Sequence, residues 1–333
     1  MDSLTQIVLG AAVGEAVLGK KTGNKALLYG AIVGTIPDLD VLFGKFTDSI
    51  TAIEWHRGFS HSLLFSILAA CVLGWLMHRV EHKRNLGWKS WAILCFLCLF
   101  THAVLDAFTS WGTQLLWPIR TRFAWSSIFV IAPLYTIPFL ICTIAVLCYK
   151  RTSKKRRRWN RIGLIISTSY LISTLGIKAF VTNVFKKALS EQGIAYTQLS
   201  IRPAPLTTFL WNANVATNEA YLIGDYSFFD SQPILFKTYP KQRHLSKYLL
   251  NYQNVQRLID ISEGWYIIDT KTIPWVFNDL RFGLIYRKDG TSFFSFSYNL
   301  EAQNGTIKVT ETPKTKGDAH FLMKRLWNRI KGN

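Results

Sequence analysis

The chain has 333 residues, 49% of them hydrophobic and 18% charged, with a formal net charge of +19. That length accommodates two domains, and the apolar residues crowd before about position 180, in blocks too long and too poor in charge for an ordinary soluble core. The basic residues fall mainly in short loops between those blocks, a membrane-topology pattern that removes the need for a specific nucleic-acid partner.

Residues 4–18 form a short apolar block with Gly10 and Gly14 at four-residue spacing, interrupted by Gln6 and Glu15. Small residues at that spacing allow another helix to approach closely. Asp2 stands where a leader would carry Lys or Arg, so no cleavable signal is expected. Further apolar blocks cover 26–43, 60–77, 91–108, 128–149 and 162–180. Each of the last four approaches the ~20 residues that cross a bilayer. The expected fold is therefore an α-helical polytopic membrane domain over 1–180, with about six transmembrane helices.

Of 20 Lys and Arg in this half, 15 lie in three loops: Lys20, Lys21 and Lys25; Arg79, Lys83, Arg84 and Lys89; and Lys150, Arg151, Lys154 to Arg158 and Arg161. The positive-inside rule places those loops in the cytoplasm and both termini outside. Six of the eight acidic residues, Asp2, Asp38, Asp40, Asp48, Glu54 and Asp106, then fall at the outer ends. So do His56, His61 and His102.

After residue 180 the composition turns polar and mixed. Strand-like runs cover 196–201, 221–223, 264–269, 282–287, 293–298 and 306–310, with turn residues at Asp289-Gly290 and Asn304-Gly305. A β-rich soluble domain over 181–333, on the extracytoplasmic side, is expected. No internal repeat or low-complexity segment stands out.

The chemistry concentrates in two stretches. One contains Pro37, Asp38, Leu39 and Asp40, followed by His56, Arg57, Gly58, Phe59, Ser60 and His61; the other contains His102 and Asp106. Ionisable groups beside apolar segments are costly and usually face a polar cavity, and imidazole with carboxylate suits a divalent cation. His102 and Asp106, four apart, share a helix face; they suit two ligands of one metal and equally a hydrogen-bonded pair tethering helices. Asp38 and Asp40 share a side if the chain is extended after Pro37, or else form a helix-end turn. His56 and His61 lie about 140° apart on an ideal helix, so they converge only across a turn, which Gly58 and Ser60 permit. Arg57 could hold an anionic oxygen through its fork or sit at a lipid headgroup.

Other candidates are weaker. Cys95 and Cys98 form a C-x-x-C inside an apolar helix without a second pair and read as packing residues. His78 and His82 share a cytoplasmic loop with Arg79, Lys83 and Arg84 and read as a solvated face; His244 and His320 have no recognisable partner. Trp111, Trp117 and Trp125 fit an aromatic belt, and the Lys154 to Arg158 run reads as a loop that also meets anionic lipid.

These motifs resemble the YdjM/YbcI-type family of bacterial inner-membrane proteins, described as membrane-bound metal-dependent hydrolases. The resemblance rests on Met1 to Thr5, the Pro37 to Asp40 and His56 to Ser62 stretches, and His102 through Asp106 to Trp111, Gly112 and Thr113. It implies a multi-pass protein of the bacterial inner membrane with metal residues at Asp38, Asp40, His56, His61, His102 and Asp106. Gln6 stands where many members have His after Thr, and Asp2 is expected to supply the first helix's share, with Arg57 as the second catalytic candidate. A more distant similarity to zinc phospholipase C and P1-type nucleases favours a phosphoester. The expected function is an integral membrane metal-dependent hydrolase using a divalent ion, zinc or else manganese, on a membrane lipid or lipid-linked substrate at the outer face. A non-catalytic scaffold or regulator with a structural or sensing ion is the alternative. A transporter fits less well, because the ionisable groups gather at one face and not at the midplane.

Overall fold

The computed structural model describes residues 1–243, 247–303, 305–313 and 318–333. It divides into two compact units: Met1–Phe46, Trp55–Ile177 and Pro205–Thr207 in the first, and Thr47–Glu54, Lys178–Ala204 and Thr208–Asn333 in the second. His244 and Asn304 lie outside the described residues.

The first unit is helical, and helices occupy all six apolar blocks. They are α1 (Ser3–Thr22), α2 (Asn24–Thr35), a 3-10 turn at Pro37–Leu39 and α3 (Asp40–Gly44). After α4 (Ser49–Trp55), which lies largely in the second unit, come α5 (Leu63–Val80), α6 (Trp88–Ala107), α7 (Pro133–Leu147) and α8 (Lys154–Glu191). Four segments are long and apolar enough to cross a membrane: Asn24–Gly44, α5, α6 and α8. α7 is a shorter apolar helix, and α1 is not among the candidates, so six spans reduce to four on these criteria. The physical reason in α1 is its location: most of its residues are buried among the other helices, where small side chains replace bulky apolar ones.

The glycine spacing does what it predicts. A Cβ on Gly10 would lie 2.3 Å from Gly30 O, and one on Gly30 would lie 2.1 Å from Gly10 O, so α1 and α2 meet backbone to backbone. Around that contact Val8, Ala12, Val33, Leu94, Cys95, Leu99 and Phe139 form the core, and Trp91 meets Tyr29 edge-on at 5.5 Å. Cys95 and Cys98 are buried packing residues: the Cys98 thiol donates to Gly10 O at 3.5 Å.

Two buried or half-buried ion clusters close the end of the bundle away from the His and Asp motifs. Glu15 accepts Arg156 Nε at 2.7 Å and Nη2 at 2.6 Å, both side chains being buried, while Asn160 donates to Ala12 O at 3.0 Å. Lys25 and Tyr29 donate to Glu81 Oε1, and Arg84 Nε donates to Oε2 at 2.6 Å. The run from Lys154 to Arg158 is thus the first turn of α8 and not a loop, and Arg156 is an internal tie. His82 is exposed as expected, while His78 Nδ1 donates to Leu86 O at 2.8 Å.

The second unit holds two four-stranded antiparallel meanders. The first comprises β1 (Gln198–Pro203), β2 (Leu210–Ala216), β3 (Ala220–Ser227) and β4 (Phe236–Pro240); α9 (Gln253–Ile261) follows. The second comprises β5 (Tyr266–Asp269), β6 (Trp275–Tyr286), β7 (Ser292–Gln303) and β8 (Thr306–Glu311), before α10 (Ala319–Ile330), which His320 helps to open. β2 and β4 were not legible as strands. β2 carries Asn212 and Asn214 between its apolar residues, and they are internal donors, Asn214 Nδ2 reaching Leu280 O at 2.7 Å. The Asp289-Gly290 turn is present: Asp289 Oδ1 accepts Thr291 N at 2.9 Å and Gly290 takes φ +82°.

Candidate metal centre

His102 and Asp106 face inward from the last turns of α6, one turn apart. Asp38 comes from the 3-10 turn that follows α2, where Pro37 occupies the first helical position. His61 ends the 3-10 turn Phe59–His61, and Ser62 then caps α5 by accepting Phe65 N at 3.0 Å. The tight path from α4 to α5 is made by Arg57 at φ +58°, a left-handed conformation uncommon for a residue with a Cβ.

The four side chains converge on one point. His61 Nε2 lies 3.1 Å from His102 Nε2, 3.4 Å from Asp38 Oδ1 and 3.3 Å from Asp106 Oδ2. His102 Nε2 lies 3.5 Å from Asp38 Oδ1 and 3.7 Å from Asp106 Oδ2. A tetrahedral ion with nitrogen and oxygen ligands at 2.0–2.2 Å separates those ligands by about 3.3–3.6 Å. The measured separations bracket that range.

Proton placement leads to the same point. His102 Nδ1 lies 2.6 Å from Gly34 O, a carbonyl that can only accept, so the proton sits on Nδ1. Ser60 donates its one proton to Asp40 Oδ2 at 2.8 Å, so the Ser60 oxygen accepts from His61 Nδ1 at 2.9 Å. In their neutral forms both imidazoles therefore turn Nε2 lone pairs toward each other, beside two carboxylate oxygens. Asp106 Oδ2 is fully buried and has no well-aligned hydrogen bond, its one fixed positive neighbour being Arg57 Nε at 3.0 Å. Arg57 and the Met1 amino group already answer the Asp106 charge; an ion at this point would satisfy the remaining inward-facing acceptors, the two Nε2 atoms and Asp38 Oδ1. Burial by itself would lower the His61 imidazole, but the Asp106 and Asp38 carboxylates outweigh it and favour its protonated form, so an ion there would compete with a proton on Nε2.

Asp40 and His56 stand beside the cluster, not within the group of four. The chain after Pro37 is helical, with Asp40 at φ −56° and ψ −30°, so residues two apart point to different sides instead of sharing one. Asp40 instead organises the facing turn: Oδ1 accepts His56 Nδ1 at 3.0 Å and Oδ2 accepts Arg57 N at 2.9 Å. A turn does separate His56 from His61, yet their rings remain 6.3 Å apart.

Asp2 is also elsewhere. Its carboxylate caps α1, accepting Thr5 N at 3.0 Å and Thr5 Oγ1 at 2.6 Å. The first helix contributes through Gln6, whose Nε2 donates to Asp106 Oδ1 at 2.9 Å, and the Met1 amino group donates to the same oxygen. A lone amide in an apolar block was the available signal for Gln6. Arg57 is buried with Nε 3.0 Å from Asp106 Oδ2, and its Nη1 donates to Thr109 Oγ1 at 2.8 Å. It faces an internal carboxylate and not a lipid headgroup.

Helices apolar enough to span a bilayer, carrying a buried His and Asp cluster at their ends, define a membrane protein with a possible metal-binding group. The family described as YdjM inner membrane protein matches residues 1–181, more than half of the chain, and the chain belongs to that family. It is 28% identical over 148 residues to Inner membrane protein YbcI of Escherichia coli (strain K12), a match covering 41% of this chain and 82% of that protein. No solved structure matches. All four clustered donors lie inside the family-matched region.

Proposed function

We propose that the protein is an integral inner-membrane metal-dependent hydrolase acting on a phosphoester or lipid-linked envelope substrate. The observation that carries this reading is the set of four donor atoms, with the His–His and His–Asp separations between 3.1 and 3.7 Å and each Nε2 turning a lone pair inward when its imidazole is neutral. Asp38, His61, His102 and Asp106 would hold the ion, with zinc preferred for its tetrahedral His and carboxylate chemistry and manganese second. A divalent ion there supplies Lewis acidity toward a phosphoryl oxygen and toward water.

The protein's own groups have definable tasks. Gly34 O and the Asp40–Ser60 pair fix the two imidazole orientations, the usual outer support of histidine ligands. Arg57 offsets the Asp106 charge, and Gln6 occupies the other Asp106 oxygen. Burial of three donors excludes water from all but the Asp38 side, where the side chain is 24% exposed.

A second reading has a specific observation in its favour. Four protein donors are enough to fill the coordination of a tetrahedral ion, and closed sites of that kind are usually structural. A scaffold or regulator would need no more. The two readings separate in one experiment on detergent-purified protein. Elemental analysis should give one equivalent of metal in wild type and loss in His61→Ala and Asp106→Asn. Metal-loaded wild type should hydrolyse p-nitrophenyl phosphate or phosphatidic acid in mixed micelles. Stoichiometric metal without turnover selects the scaffold, and metal content unchanged by both substitutions ends the metal reading.

The orientation belongs to the same proposal. Asp38 lies near the end of the Asn24–Gly44 span, His61 just before α5, and His102 and Asp106 near the end of α6, so alternating spans bring all four to one boundary. With α1 and α7 also crossing, the loop charges put that boundary and the β-rich region outside the cytoplasm. Alkaline phosphatase fused after residue 333 should be active, and fused after Lys155 inactive; the reverse pattern would move the site to the cytoplasm.

A further inference from the structure

Leu28 and Ile32 on α2, Leu39 at the end of the 3-10 turn, Phe43 on α3 and Phe46 in the turn after it make an apolar stripe along the chain, interrupted by the change of helix type at Pro37. All five are exposed, Phe43 at 67% and Phe46 at 87%. The stripe begins on the candidate span Asn24–Gly44 and continues beyond Asp38 in the chain. Lipid contact expected on the span therefore extends past the donor that opens the cluster. Exposed aromatic surface of this extent is unfavourable in water and favourable against hydrocarbon.

The chain segment that carries His61 is also flanked by exposed aromatic rings. Phe59, two residues before His61, meets Trp117 edge-on at 4.9 Å, and both rings are more than one-third exposed. The Trp117 segment is tied to the His61 turn: Gln114 N donates to Arg57 O at 3.0 Å and Leu63 N donates to Leu115 O at 2.9 Å. Asp38, the partly exposed donor, thus has the apolar stripe in its own chain segment. The three inner donors are 0–1% exposed.

We propose that the substrate of this centre is a membrane-resident amphiphile. Its phosphate-bearing head reaches the cluster past Asp38 while its chains stay in the bilayer along Leu39, Phe43 and Phe46. This rests on the metal-centre reading above and names the substrate class of that site. A water-soluble phosphoester has no use for an apolar approach, whereas a lipid already lies beside it. The occupant of the stripe is lipid because the stripe is continuous with the span of an inner-membrane family protein.

The test uses full-length, zinc-loaded protein in phosphatidylcholine nanodiscs containing a trace of diazirine-tailed lipid. One probe is phosphatidic acid, the other phosphatidylcholine with the same tail. Photolabelling of the peptide containing residues 39–46 should favour the phosphatidic acid probe by roughly tenfold, as one added charged-head interaction implies. Chelation should abolish the preference. Phe43→Ser with Phe46→Ser should lower it, and the double Leu replacement should restore it. Equal labelling by the two probes, or a preference indifferent to chelation, overturns the proposal. Release of inorganic phosphate from phosphatidic acid in the same nanodiscs reads the hydrolase separately. Preferential labelling without turnover keeps the amphiphile site and removes hydrolysis; turnover without preferential labelling keeps hydrolysis and removes the approach along residues 39–46.

Discussion

Gly30→Ala joins the packing of the bundle to the chemistry of the cluster. The added Cβ would lie 2.1 Å from Gly10 O and 3.0 Å from Gly14 Cα, where ordinary contact begins at 3.4 Å. Both obstacles are backbone, so no side chain can swing aside, and α2 must retreat from α1 by about 1.3 Å to restore contact with Gly10 O. Overpacking of this kind costs about 1–3 kcal/mol. The displacement also carries Gly34, one turn further on, whose carbonyl accepts His102 Nδ1 at 2.6 Å. Metal affinity should then fall about 10–100-fold, the usual effect of losing an outer partner of a histidine ligand. Thermal unfolding in detergent and competition with a chromophoric chelator measure the two effects. Gly176→Ala is the control, since its Cβ would meet nothing within 4 Å. A Gly30→Ala protein as stable and as tight for metal as the control would refute the close-packing argument.

Three further outcomes are expected. Arg156→Met leaves the buried Glu15 carboxylate without its guanidinium and should cost about 3–5 kcal/mol, read as a large drop in the detergent unfolding midpoint; an unchanged midpoint would show the pair contributes no net stability. Asp40→Asn should weaken metal binding about 10–100-fold while keeping one equivalent at saturation, because Asp40 supports His61 without joining the four donors; loss of stoichiometry would make Asp40 a ligand. Glu81 is pulled down to about 2, first by its hydrogen bond from Lys25 and further by Tyr29 and Arg84, against opposing burial. A carboxylate lowered on folding stabilises above its unfolded value of 4.5 and loses that contribution as pH falls toward 2. Glu81→Gln should flatten the fall in unfolding midpoint over that window, and an identical acid limb would refute the assignment.

The apolar blocks, the small-residue face of α1 and the polar half were legible because each is a local pattern: hydrophobic run length, glycine spacing, strand composition and turn residues. The helix-to-strand change near 180 and most of the later strands follow from those alone. β2 did not, because its asparagines find partners only after folding, as Asn214 does on Leu280 O; β4 was not legible either, nor were α9 and α10, although both helices carry an amphipathic period.

The sequence by itself determined that His and Asp residues gather at the ends of apolar segments, and that His102 and Asp106 share a face. Which of them meet was decided by three-dimensional contacts. The 3-10 turn after Pro37 sends Asp38 toward the two imidazoles and Asp40 toward the His56–Ser60 turn. Asp2 is drawn off to cap its own helix, while Gln6, one turn later on α1, faces Asp106. Local spacing specifies direction along one helix; convergence of four side chains from separate segments depends on how the helices pack, and here that packing rests on four glycines whose missing side chains let α1 and α2 touch.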